Sequence, residues 1–319
     1  AGTFGDATIH GALHGDLANK TVAGWLGAGK INLRRLLRSS GTRPPINVRG
    51  ELALAVTADT KGIKGILGVH GSARDLPESD ATIVIDATWK DAGVTLLAVS
   101  EGDAMVAVNA HAKRDGKRIE IDRARVVASA KELAPATGDR VPLVAQQLLV
   151  DVKLGKPGTV APTIDLAFEG NARGTRLVYD DISIAGFDTQ FAGAMRDKLY
   201  VQSTTRVRGA SQAGTALGSG TIAANLLPDG RIFTRVDVKP AAAAVGVVAS
   251  GYITPGAITT IALADHAITP QVGTPWSGKG GTITIDPARD SVDVREIITS
   301  SGAGGRARLD AKLVAGTLD

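Results

Sequence analysis

Cysteine is absent from the 319 residues, which excludes disulfide staples, thiolate metal ligands and cysteine nucleophiles. Aromatic residues make up only 3% of the chain, so the large rings that anchor most enzyme cores are scarce. The five histidines are scattered. His10 and His14 are four apart, but Gly11 follows the first, where a zinc-hydrolase helix requires Glu. His70, His111 and His266 have no Cys or second His at ligand spacing. All five are expected at the surface or at groove edges. No Gly-x-Ser-x-Gly elbow occurs. The stretch Gly24-Trp-Leu-Gly-Ala-Gly29-Lys30 begins like a phosphate loop, but Ile31 follows where magnesium coordination needs Ser or Thr. Carboxylates such as Asp180 and Asp181 sit in turn-like sequence, where Asp holds the backbone. The chain therefore reads as a non-enzyme, with no metal and no cofactor. The longest weakly polar run, 241–253, is too short to span a bilayer as a helix.

Charge of one sign is not concentrated either. The formal net charge is +4. The single basic cluster, 30–43, contains no stacking aromatics, and nucleic acid is not an expected partner.

What the sequence does have is alternation. Thr82-Ile-Val-Ile-Asp-Ala-Thr-Trp89, Lys117-Arg-Ile-Glu-Ile-Asp122 and Gly230-Arg-Ile-Phe-Thr-Arg-Val-Asp-Val238 each place apolar side chains at every second position. That is the period of a strand with one wet face and one apolar face. Such segments recur at 7–13, 22–31, 46–58, 63–73, 81–89, 94–100, 104–113 and 118–130. They resume at 147–154, 163–169, 176–179, 182–185, 189–192 and 199–208. The last are 220–227, 231–239, 247–253, 258–263, 281–286, 291–299 and 307–315. Short turns join them, among them Arg114-Asp115-Gly116, and Asp-Gly is a strong hairpin signal. An all-β, mostly antiparallel architecture follows. One short helix is expected at 32–39, with Leu33, Leu36 and Leu37 on one side and Arg34, Arg35 and Arg38 on the other. Pro44-Pro45 closes it. A looser stretch at 131–145, with Pro135, Gly138 and Pro142, is the candidate internal boundary. The opening at Ala1 in mid-pattern suggests an internal segment of a larger, elongated protein.

In the wording of its strands the chain resembles the TamB and AsmA-like family of bacterial inter-membrane bridge proteins. The passages that carry the likeness are 80–96, 116–129, 181–203 and 218–232, and they rest on texture rather than on a short signature. The resemblance implies a long sheet curved into an open trough with an apolar concave face, shielding lipid acyl chains between inner and outer membrane. It also implies a periplasmic location, an inner-membrane anchor outside this chain, and assistance to outer-membrane protein assembly through a TamA-like barrel partner.

On that reading the bulky members of the alternating sets line the trough. In the first half these are Ile83, Ile85, Trp89, Leu96, Ile119 and Ile121. Val150, Val152, Ile164, Leu166 and Phe168 follow. In the second half they are Ile182, Ile184, Leu199, Val201, Ile232 and Val236, then Ile283, Ile285, Val292 and Val294. Arg34, Arg35 and Arg38 would dock lipid headgroups or an acidic partner. The alternative architecture is a parallel β-solenoid from a secreted adhesin or exoprotein. Solenoids often stack Asn at a constant interval, and the six Asn here are unevenly spaced.

Overall fold

The computed structural model describes residues 2–4, 7–32, 48–73, 78–88, 90–100, 104–133, 143–179, 182–239, 245–270, 272–314 and 317–318. The expected helix at 32–39, with Arg34, Arg35 and Arg38, falls almost wholly outside them, as does Trp89. Among the described residues the chain is all-β, with a single 3-10 turn at Pro287–Arg289. Two compact units divide it between Gly170 and Asn171. Most of the candidate boundary at 131–145 falls outside the described residues.

The first unit is an antiparallel meander. Its strands are β1 (Gly2–Phe4), β2 (Ala7–Asp16), β3 (Thr21–Asn32), β4 (Val48–Ala58), β5 (Gly62–Ala73) and β6 (Ser79–Thr88). They continue with β7 (Asp91–Ser100), β8 (Ala104–Asp115), β9 (Arg118–Leu133) and β10 (Leu143–Ala161). Each pairs with the next in antiparallel register. β11 (Asp165–Tyr179) carries the division between the units. The turns follow elementary chemistry. Asp59 accepts the backbone N–H groups of Lys61 and Gly62 at 2.7 and 2.9 Å, a side chain standing in for a backbone turn. In the β8–β9 turn Gly116 adopts φ 57°, the left-handed geometry that Gly reaches without steric cost.

The second unit continues with β12 (Ile182–Met195), β13 (Leu199–Gln212), β14 (Thr215–Leu226), β15 (Ile232–Lys239), β16 (Val245–Thr254) and β17 (Thr259–Pro270). These also pair in sequence order, antiparallel throughout. The order then splits. Both β18 (Trp276–Lys279) and β19 (Thr282–Asp286) pair with β17 on one side and with β20 (Ser291–Ser301) on the other. β21 (Arg306–Val314) and β22 (Thr317–Leu318) complete the unit. These antiparallel ladders are incompatible with the stacked coils of a parallel solenoid.

The strand pattern agrees with the sequence reading, with two kinds of difference. The segments read separately at 163–169 and 176–179 belong to one long β11, and those at 182–185 and 189–192 to one long β12. The three-residue β1, the four-residue β18 and the two-residue β22 carry too short a pattern to be read as strands.

Neither unit has an ordinary core. Among the described residues no large side chain is fully buried, and the buried apolar residues are Ala28 and Ala130 alone. Among the described residues, neither unit buries large inward-facing side chains between two sheets as a closed sandwich does.

Candidate functional site

Residues directly opposite in an antiparallel ladder stand on the same face of the sheet. Following the register of the first unit strand by strand gives an uninterrupted row from β2 to β10. It runs Gly11, Leu26, Leu54, Leu67, Ile83, Leu96, Val108, Val126, Val152. A parallel row beside it runs Ile9, Ala28, Leu52, Val69, Ala81, Ala98, Val106, Ala128, Val150. Neither contains a polar side chain. Ile85 and Val94 extend the same face from β6 and β7. Ile83, Ile85, Leu96, Val150 and Val152 thus share one face, each half-buried.

Strict alternation would put Ile119 and Ile121 on the other side from Val126. A bulge in β9 corrects this. Ala110 faces Ala124 but Ala112 faces Ile121, so Asp122 is the extra residue. The parity flips and Ile119 and Ile121 join the apolar rows. Asp122 is left on the opposite face, where it accepts from His111 Nδ1 at 2.8 Å and Lys113 Nζ at 3.0 Å. The Lys113 hydrogen bond, seconded by that of His111, brings its carboxyl down to about 2.

Beyond β10, Gly158 faces Ile121. A Cβ at Gly158 would run into Leu166 and the Asp165 carbonyl, so Leu166, and Phe168 by alternation, belong to the same face. Ile164 does not: it precedes β11 in the turn and is exposed.

The other face of this unit carries the charge. Lys64 pairs with Asp86 at 3.2 Å, and Lys153 with Glu169 at 3.1 Å. Arg125 grips Asp151 through two bonds of 2.9 and 2.7 Å. His70 lies between Asp80 at 2.8 Å and Glu78 at 3.0 Å, and its pKa is raised chiefly by the Asp80 hydrogen bond.

The second unit builds a row of the same length. It runs Gly193, Val201, Leu226, Ile232, Ile253, Ile261, Ile283, Val294, Ala311. Val236 stands beside it through Ile222 and Ala249. Leu199 follows by alternation from Val201, and Ile285 and Val292 from Ile283 and Val294. Ile182 and Ile184 join the same face through a bulge. β12 keeps register with β13, so Ile184 faces Ala210 and Ile182 faces Gln212. β13 shifts against β14 between Val207 and Ala210, where Gly209 adopts φ 58°, and the parity flips, so Ala210 stands on the face of Val207 and Val201. Phe187 and Phe191, half-buried, hold that face on the other side of the bulge.

His266 is buried rather than at a surface or groove edge. It stands opposite Ala249 and Gly278, and its Nε2 donates to the Ile298 carbonyl at 3.1 Å. The bare Gly278 lets the ring pass, since a Cβ there would stand 2.9 Å from His266 Cε1 and nearer still to the Ile298 oxygen. β18 reaches β20 only at Ser300 and Ser301, and β19 only at 291–295. Ile298 lies between these contacts, and the imidazole supplies its donor. His266 is therefore a strut across the split in the meander.

No protein-family model matches the chain, and neither a curated protein nor a solved structure matches it.

Proposed function

We propose that this chain is a segment of a periplasmic bridge that shields lipid acyl chains between the inner and outer membranes of a Gram-negative cell. On this reading each sheet bends into an open trough whose concave face bears the apolar rows. The rows hold the chains through contact alone, without enzymatic chemistry or a cofactor. The observation that carries the reading is a row of nine positions in each unit, free of charged side chains, with no large side chain fully buried among the described residues. An open apolar surface of this size is costly in water unless something covers it. Eight inter-strand gaps of about 4.8 Å give each row about 38 Å of length. Burial stabilises a lipid by about 0.8 kcal/mol per CH₂, so fifteen half-covered CH₂ groups contribute about 6 kcal/mol. Val, Ile, Leu and Ala offer an acyl chain contact and ask for no hydrogen bonds, which accounts for the lack of polar motifs. An inner-membrane anchor and a TamA-like barrel partner, through which outer-membrane proteins would be assembled, complete the proposal.

The test is native mass spectrometry of the purified chain with lipid extraction. Phospholipid should co-purify, and should be lost in a Val152→Asp variant that keeps its β circular dichroism. A lipid-free wild-type chain overturns the reading.

A further inference from the structure

A groove of about 910 Å³ lies against β2–β6, outside the apolar rows described above. Its lining takes three successive residues from each of the five strands: 12–14, 23–25, 55–57, 64–66 and 84–86. By alternation the middle residue of each triplet points to the face of Ile83, and the outer two point to the other. None of Leu26, Leu54, Leu67 or Ile83 lines the groove. It therefore opens on the charged face.

Two neighbouring rows form its floor. One is apolar: Ala12, Trp25, Ala55, Ile66, Val84. The other is His14, Ala23, Thr57, Lys64, Asp86. Depth comes from size. Ala12 and Ala55 flank Trp25, whose ring is met edge-on by His10 at 5.5 Å. Trp25 is 50% exposed and Ile66 53%, so each large side chain of the row offers half its surface.

We propose that this groove binds a single-chain amphiphile with a zwitterionic head, of the lysophosphatidylethanolamine class. The apolar row is one residue wide, which suits one acyl chain and not two. Four inter-strand gaps of about 4.8 Å give it about 19 Å, a little more than the ~15 Å of one bilayer leaflet. At its end Lys64 and Asp86 hold opposite charges 3.2 Å apart. Both are largely exposed, so the pair opens at little cost. Asp86 then takes the primary ammonium and Lys64 the phosphate. Choline cannot donate to Asp86, and a glycerol head leaves that carboxylate without a cation. The volume lies within the range of small-molecule sites, about 300–1,000 Å³. This site is independent of the apolar rows on the opposite face.

Trp25 is its own reporter. In the Trp89→Phe, Trp276→Phe chain it is the only tryptophan. Lysophosphatidylethanolamine with a brominated acyl chain, added below its micelle concentration, should quench it saturably. Ala55→Phe, which fills the groove, should abolish quenching, and Ala12→Phe should do the same as an independent check. Ile83→Asp should leave quenching unchanged. Asp86→Asn should weaken binding about tenfold for the ethanolamine lipid and hardly at all for brominated lysophosphatidylcholine. Absence of saturable quenching, quenching that survives both Phe variants, equal affinity for brominated diacyl lipid in vesicles, or loss on Ile83→Asp each overturns the assignment.

Discussion

The two units carry rows of equal length and differ in how they accommodate the irregularities beside them. In the first, each strand from β2 to β10 pairs with its successor, and the one parity error of the sequence is corrected by the bulge at Asp122. In the second, the order splits at β18 and β19, and His266 crosses the gap to the Ile298 carbonyl. In the first unit an inserted residue brings Ile119 and Ile121 to the face of the row; in the second a side chain bridges the strand split beside the row. Continuity of an apolar row is common to both, while the irregularity beside it is handled locally.

The largest effect should come from breaking the rows themselves. Leu96→Asp in the first unit and Ile261→Asp in the second should each reduce co-purified lipid at least tenfold. Both positions are only half-buried, so unfolding free energy should change by no more than about 1.5 kcal/mol. Denaturant titration and lipid extraction read the two quantities separately. Should one variant lose lipid and the other not, the units do not share a function.

A middle-sized effect separates the devices. Gly278→Ala drives a methyl into the His266 ring and the Ile298 carbonyl, and should destabilise by about 1–3 kcal/mol. Gly68→Ala, in the first unit, meets only the Ala53 oxygen at 3.8 Å and should stay within about 0.5 kcal/mol of the parent. Urea midpoints at equal slope check the pair.

The smallest effects lie on the charged face and depend on pH. The carboxyl of Asp122 is lowered from 3.8 to about 2, so its contribution is present above 3.8 and lost as pH falls through about 2. His70 runs the other way. Its pKa is raised above 6.5, so its contribution is present below 6.5 and lost as pH rises through the raised value. Side-chain NMR titration should show both shifts. Lys113→Met should return Asp122 toward 3.8, whereas an unchanged Asp122 would refute the assigned cause.

Much of this was legible in the sequence because a period of two is a strong local signal. The segment 81–89 reads as a strand facing two ways, and the observed Ser79–Thr88 alternates in its burial. What was not legible is what depends on neighbours. Nothing in Ile119-Glu-Ile-Asp-Arg announces that Asp122 is extra, since a bulge is defined by the partner strand. Gly186 looks like a break between two short strands, yet β12 runs through it, and what keeps Ile182 and Ile184 on the face of the row is a shift of β13 against β14 that only the partner strand defines. Ile164 fits the alternation of Leu166 and Phe168 but falls before their strand begins. His266 carries no local mark of burial, because its acceptor is 32 residues away.

The most direct test compares adjacent positions on opposite faces, away from the Trp25 groove. A photo-crosslinking residue would be placed at Val108 or Asn109 in the first unit, and at Ile253 or Tyr252 in the second, in cells labelled for diacyl phospholipid. Crosslinks at 108 and 253, with none at 109 and 252, are the expected result. Equal crosslinking on both faces, or none at 108 and 253, would contradict an acyl-chain path along the apolar rows.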